Sequence, residues 1–101
     1  MYATVRRYDM GAGSRGAGAV SELMRRCEES FVPIVSEVEG FRGYYAIDAG
    51  NGIIATISIF EHQAGAEQAN KAANEFWKEQ LSGLLQANPQ VTSGEAVVHK
   101  P

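Results

Sequence analysis

Residues Phe41 to Glu61 read FRGYYAIDAGNGIIATISIFE: two runs dominated by Tyr, Ile, Thr and Phe, on either side of Gly50-Asn51-Gly52. Glycine and asparagine accept positive φ at little cost, and the flanking residues suit a pleated strand, so the stretch predicts a β-hairpin. Its register follows from which side chains can share a face. A three-residue loop, Gly50 to Gly52, opposes Ile47 to Ala55, Tyr45 to Ile57 and Gly43 to Ile59. It gathers Phe41, Tyr45, Ile47, Ile53, Ala55, Ile57 and Ile59 on one side. A two-residue loop would oppose apolar residues to Thr56 and Ser58, because a shift by one flips every side chain. The odd loop, with a glycine in the left-handed position, is therefore expected. The opposite face carries Arg42, Tyr44, Ala46, Asp48, Ile54, Thr56, Ser58 and Phe60, and is too apolar to be a plain solvent face.

Upstream, Ala17 to Val38 places Val20, Leu23, Met24, Cys27, Phe31, Ile34, Val35 and Val38 at spacings of three and four, one apolar stripe on a helix. Pro33 removes a backbone donor inside that pattern, so a kink or break is expected near Ser30. Gly40 closes the segment. Before it, Tyr2 to Tyr8 reads as a strand, followed by a loop from Asp9 to Gly16. That loop contains Gly11, Gly13 and Gly16, a literal G-x-G-x-x-G between strand and helix. The dinucleotide reading fails on context. The strand before it is amphipathic and ends in Arg6-Arg7-Tyr8-Asp9, whereas the first strand of a nucleotide-binding sheet is buried on both faces. The next strand-end acid, Asp48, lies 32 residues beyond Gly16, against about 20 in that fingerprint. A flexible loop leading into a helix is the reading kept.

Downstream, Gln63 to Ala87 sets Ala66, Ala69, Asn70, Ala73, Phe76, Trp77, Leu81, Leu84 and Leu85 at helical spacing, and Asn88-Pro89 stops it. Glu67 and Lys71, four apart, add slight helical support. Val91 to His99 alternates loosely and is read as a last strand.

The order is thus β-α-β-β-α-β: an α+β, ferredoxin-like chain with a four-stranded antiparallel sheet and both helices on one face. At 101 residues it is one domain, 1–101, with 45% hydrophobic and 21% charged residues and a net charge of −3. The nine Lys and Arg are dispersed, which argues against nucleic acid as a partner. No apolar run is long enough for a membrane span or a signal peptide, so a cytoplasmic location and no membrane partner are expected. Cys27 is the single cysteine, and His62 and His99 stand far apart. No metal-ligand spacing appears, and Cys27 reads as a small core residue.

The chain with FVPIVSEVEGFRGYY leading into the second strand, a Gly-rich hairpin, ISIFE and a tryptophan in its second helix resembles the dimeric α+β barrel superfamily, and within it the antibiotic-biosynthesis-monooxygenase-like domains. The resemblance implies a homodimer whose sheets form a barrel, with a small cavity in each subunit between sheet and helices. It implies a range of activities: cofactor-independent monooxygenases, haem-degrading enzymes, lactone isomerases. An asparagine and a tryptophan commonly stand in the cavity of the oxygenase members. Here Asn70 and Asn74 are the asparagines, seven and three residues before Trp77, and neither matches a spacing of four.

From these readings come the expected sites. The isoleucine-rich face should meet the helices, leaving the face with Tyr44, Ile54 and Phe60 for a second copy of the chain. Asn70 and Trp77 are the catalytic candidates, since an amide inside an apolar stripe needs a partner and an indole carries one donor. Tyr45 and Asn74 are substrate-binding candidates. Arg6 and Arg7 lie on opposite faces of the first strand, so one must face the helices and seek an anion. The sequence leaves the choice open, and Arg7 stands as the candidate. No cofactor and no metal is expected. The ligand expected is a hydrophobic, aromatic small molecule. The function expected is a cofactor-independent monooxygenase; a non-catalytic ligand-binding or assembly module is the alternative, with haem-binding and isomerase roles behind it.

Overall fold

A computed structural model describes residues 1–11, 13–85 and 88–100, the side chains of Ser14 and Arg15 excepted. Strand β1 is Tyr2–Asp9; helix α1, Gly13–Arg26, runs on through a wider π-helical turn, Cys27–Phe31, into a short helix α2, Val32–Val35. Strands β2, Phe41–Gly50, and β3, Ile53–Phe60, form the hairpin; helix α3, Gln63–Phe76, ends in a second π-helical turn, Trp77–Leu81; β4 is Gln90–Glu95. The strands form one antiparallel sheet in the order β2-β3-β1-β4. This is the ferredoxin-like α+β arrangement the sequence predicts.

The register is the expected one, with Ile47 opposite Ala55, Tyr45 opposite Ile57 and Gly43 opposite Ile59. The chain reaches it differently. Gly50 pairs with Ile53, so the turn is the two residues Asn51-Gly52, both at positive φ, 55° and 78°, as a tight hairpin turn requires. A bulge between Asp48 and Gly50 restores the odd count. A second irregularity between Phe41 and Gly43 brings the Phe41 ring to 6.0 Å from that of Phe60. Phe41 therefore sits with Phe60, away from the isoleucines.

The two sheet faces are exchanged relative to expectation. Ile54 and Phe60 are fully buried, Thr4, Arg6, Tyr8, Thr56 and Ser58 are buried with them, and Tyr44 packs on the same core. This is the face beneath the helices. The face bearing Val5, Tyr45, Ile47, Ile57 and Ile59 has no cover from the described residues: Tyr45 is 57% exposed and Ile47 46%. The physical reason lies in what the helices bring. Helix α3 meets the sheet with Ala66, Ala69 and Ala73, small enough to approach closely, while Leu23, Val35 and Leu81 fill the rest of the core. Polar strand residues lie inside, Thr4 bonded to Ser93 and Arg6 to Asn70 and Asn74 of α3.

The glycine-rich loop serves backbone packing. A Cβ at Gly16 or at Gly52 would collide with the Gly11 carbonyl, and Met10 N–H donates to the Gly52 carbonyl at 2.8 Å. The glycines thus dock the β1–α1 connection onto the hairpin tip. Helix α1 begins at Gly13, four residues before the expected Ala17. The deviation expected near Ser30 is the π-helical turn: Val32 N–H bonds the Cys27 carbonyl. Pro33 lacks the donor that would engage Glu29. The expected end of the second helix at Ala87 falls outside the described residues. The last strand stops at Glu95; Val97 and Val98, 83% and 91% exposed, lie beyond it.

Candidate functional site between sheet and helices

Strand β1 alternates along its length, and it is Arg6, not Arg7, that turns under the helices. Arg6 is 4% exposed. Its Nη2 donates to the Asn70 carbonyl at 3.2 Å, to Asn70 Oδ1 at 3.4 Å and to Asn74 Oδ1 at 3.1 Å. One turn of α3 separates the two asparagines, so both amides reach one guanidinium. Asn70 Nδ2 donates to Ser93 Oγ at 3.3 Å, and Ser93 shares a 3.0 Å hydrogen bond with Thr4 Oγ1. The network ties β1 and β4 to α3.

None of the ion pairs among the described residues involves Arg6, and its Nη1 is buried without a hydrogen-bond partner. A guanidinium stays charged, so this is a buried positive charge answered by amide and carbonyl oxygens, with the Tyr8 phenol beside it, and by no carboxylate among the described residues. It borders a cavity lined by Thr4, Tyr8, Tyr44, Thr56, Ser58 and Asn70 on its polar side, with Cys27, Phe31 and Phe76 opposite. The cavity holds about 10 Å³, room for roughly one water.

Burial raises the Tyr8 phenol above its ordinary value, with Arg6 pulling the other way. Burial likewise raises the Tyr44 phenol and pushes the Cys27 thiol up to about 11. All three keep their protons at neutral pH. The lining therefore offers a cation and several hydroxyl donors, with no carboxylate or histidine among the described lining residues. Such a set has the donors to steady an anionic oxygen, and the described lining holds no general base. No group of His, Cys, Asp or Glu that could hold a metal occurs among the described residues.

The structure brings together Asn70, Asn74 and Arg6. Arg7 is exposed on the open face, and Tyr45 points away from the helices on the same side; both placements correct the sequence expectation. Trp77 stands at the second π-helical turn, half-buried, with Lys78 Nζ 6.0 Å from its ring, and Phe76 takes the lining position instead. Tyr44, expected at a partner's surface, lines the cavity. Thr4, Tyr8, Thr56 and Ser58 were not foreseen. Their alternation on β1 and β3 is visible, but the face that carries Thr56 and Ser58 is expected to meet a second copy of the chain and not the helices.

No protein-family model matches the sequence, and no curated protein sequence matches it. Solved structures do match. A dimeric ferredoxin-like protein from an uncultured marine organism has a TM-score of 0.76 at 12% identity, covering 100% of this chain and 99% of that one. A Streptomyces coelicolor monooxygenase from the gene ActVA-Orf6, in complex with nanaomycin D, has a TM-score of 0.68 at 17% identity over 98% of this chain and 92% of that one. SnoaB, a cofactor-independent oxygenase from Streptomyces nogalater, has 0.67 at 12% over 99% and 96%. The chain has the ferredoxin-like α+β fold of these structures.

Proposed function

We propose that this chain is a homodimeric small-molecule-binding protein that holds an anionic oxygen of an aromatic ligand against Arg6. We further propose that its reaction is cofactor-independent oxygenation of that ligand. The observation that carries the reading is the buried Arg6 with Nη1 unpartnered beside a cavity of hydroxyl donors. A buried cation without a carboxylate is costly unless a ligand answers it. With no base in the lining, a suitable substrate ionises readily by itself, as phenols and enols do, and its own electrons reduce dioxygen. In the simplest case a ring methylene becomes a carbonyl: one oxygen atom enters the product and the other leaves as water with the two hydrogens. Arg6, Tyr8 and Asn70 steady the anion and fix its orientation. The neighbours described as monooxygenases support this reaction class. The uncovered apolar sheet face and the neighbour described as dimeric support the homodimer.

Oxygen uptake with anthrone-like and quinol substrates tests the proposal. The wild type is expected to consume oxygen, and Arg6→Met and Asn70→Ala to lose at least about tenfold in rate. No uptake by the wild type, or uptake indifferent to both changes, removes the oxygenase reading.

The small size of the cavity favours a second reading, a non-catalytic module in which the Arg6–Asn70–Asn74 network only pins α3 to the sheet. Failure of any aromatic anion to bind would leave this one standing. His62 and His99 are exposed and neither lines the cavity, so no observation favours haem binding, and none favours an isomerase.

A further inference from the structure

We propose that the space beside Arg6 is a halide site, in which a chloride ion lies against the unpartnered Nη1 edge of the guanidinium. The inference goes beyond the function proposed above and does not depend on it: a catalyst and a non-catalytic module would hold the ion alike.

Charge comes first. Arg6 is 4% exposed, and a guanidinium does not escape burial by losing its proton. Its Nη2 is engaged by the oxygens of Asn70 and Asn74, whereas Nη1 is buried with no hydrogen-bond partner. Amide and carbonyl oxygens bring dipoles and no net charge, so the cation is hydrogen-bonded on one side and neutralised on neither. A water at Nη1 would accept a hydrogen bond and leave that charge in place. A monovalent anion accepts the same hydrogen bond and cancels the charge.

Size then selects among anions. The cavity holds about 10 Å³, room for roughly one water-sized guest. Sulfate, phosphate and carboxylates, with several heavy atoms each, exceed it; a single-atom anion is the closest match.

The walls suit such an ion on both sides. Tyr8, Tyr44, Thr56 and Ser58 border the space, and a hydroxyl hydrogen rotates to meet whatever acceptor is there. Burial raises both phenols, so they remain donors at neutral pH. No Asp or Glu stands among the described lining residues to repel an anion. Phe31, Ala69, Ala73 and Phe76 form the rest of the wall, and their low polarity strengthens the attraction between ion and guanidinium. Because Arg6 is on β1 and its asparagines are on α3, the ion would reinforce the junction between sheet and helix.

Linkage tests this with chloride alone. Urea unfolding is followed while chloride replaces gluconate at fixed sodium concentration and ionic strength. An ion bound only by the folded chain raises the folding constant in proportion to its concentration once the site is filled. Tenfold more chloride is then expected to raise that constant about tenfold. Arg7→Met should keep the response and Arg6→Met should lose it. A wild type indifferent to chloride, or an Arg6→Met response equal to that of the wild type, would overturn the site. Should Arg6→Met not fold, crystals of the wild type grown in sodium bromide decide the matter. The expected anomalous peak lies in the cavity, within hydrogen-bond distance of Nη1. Bromide at exposed residues only, an adventitious ion only, would overturn the proposal. Chloride linkage without oxygen uptake would keep the halide site and remove the oxygenase reading; uptake without linkage would do the reverse.

Discussion

Arg6 and Arg7 are adjacent, identical in side chain, and opposite in fate. Arg6 is buried against amide oxygens; Arg7 is exposed. Removing a buried charge in favour of an apolar side chain of similar length is often neutral or stabilising. Arg6→Met is therefore expected to leave the unfolding free energy from urea titration unchanged or to raise it, by up to about 1 kcal/mol, while anion binding is lost. Arg7→Met should stay within about 0.5 kcal/mol and keep binding. A large loss of stability in Arg6→Met would mean the guanidinium is a structural rivet. Cys27 gives a second expectation. Its thiol is raised from 9.0 to about 11, chiefly by burial, so above pH 9 the unfolded chain releases a proton that the folded one keeps. The stabilisation is present below about pH 9 and is lost as pH rises through about 11. Urea titrations across that window should show the fall, shallower in Cys27→Ala, with Tyr8 and Tyr44 carrying the remainder because burial raises them too. Nothing in YATVRRYD distinguishes the two arginines, because strand alternation fixes that they oppose each other but not which side is covered.

Among the elements, the hairpin was the most legible and also the source of the largest misreading. Its register follows from pairing like with like, and the structure agrees with it. The choice of covered face does not follow, because hydrophobicity ranks faces by the cost of leaving them wet. The helix-facing side here includes Thr56, Ser58 and Arg6, the last bonded through Nη2 to Asn70 and Asn74 of α3, whereas the isoleucines are left uncovered by the described residues. A polar cavity on one side and an uncovered apolar face on the other together invert the usual pattern. The helices were legible by period and by Pro33, but the four-residue shift of the α1 start was not, since it depends on Gly11 packing against both Gly16 and Gly52. That packing makes a contrast testable. Gly50 and Gly52 both have positive φ, yet a Cβ at Gly50 meets nothing within 4 Å. Gly50→Ala should cost about 1 kcal/mol for the left-handed conformation alone. Gly52→Ala, which must also displace the Gly11 carbonyl, should cost about 3 kcal/mol or more. Equal losses in denaturant unfolding would refute the docking role of the loop.

At the scale of the molecule, the uncovered face decides the assembly. Val5, Tyr45 and Ile47 are 39%, 57% and 46% exposed on a sheet whose other side carries every helix. Two such faces packed together would bury them. Sedimentation velocity is expected to find a dimer at micromolar concentration, and Tyr45→Asp with Ile57→Asp to give a folded monomer. Tyr44→Phe, on the opposite face, should remain dimeric. A wild-type monomer, or a dimer indifferent to the aspartates, would refute this face as the interface.

The strand order β2-β3-β1-β4 also sets a sequence of events in time. The hairpin can zip at once through neighbours, but Tyr2 must find Glu95 across almost the whole chain, a closure whose entropy makes such pairings slow. Ser93 sits on that late strand and holds both Thr4 and Asn70. The hydrogen bonds that Ser93 makes to Thr4 and Asn70 are thus expected among the last to form, an order that amide protection during refolding would read directly. Until β4 arrives there is a sheet but not yet a site.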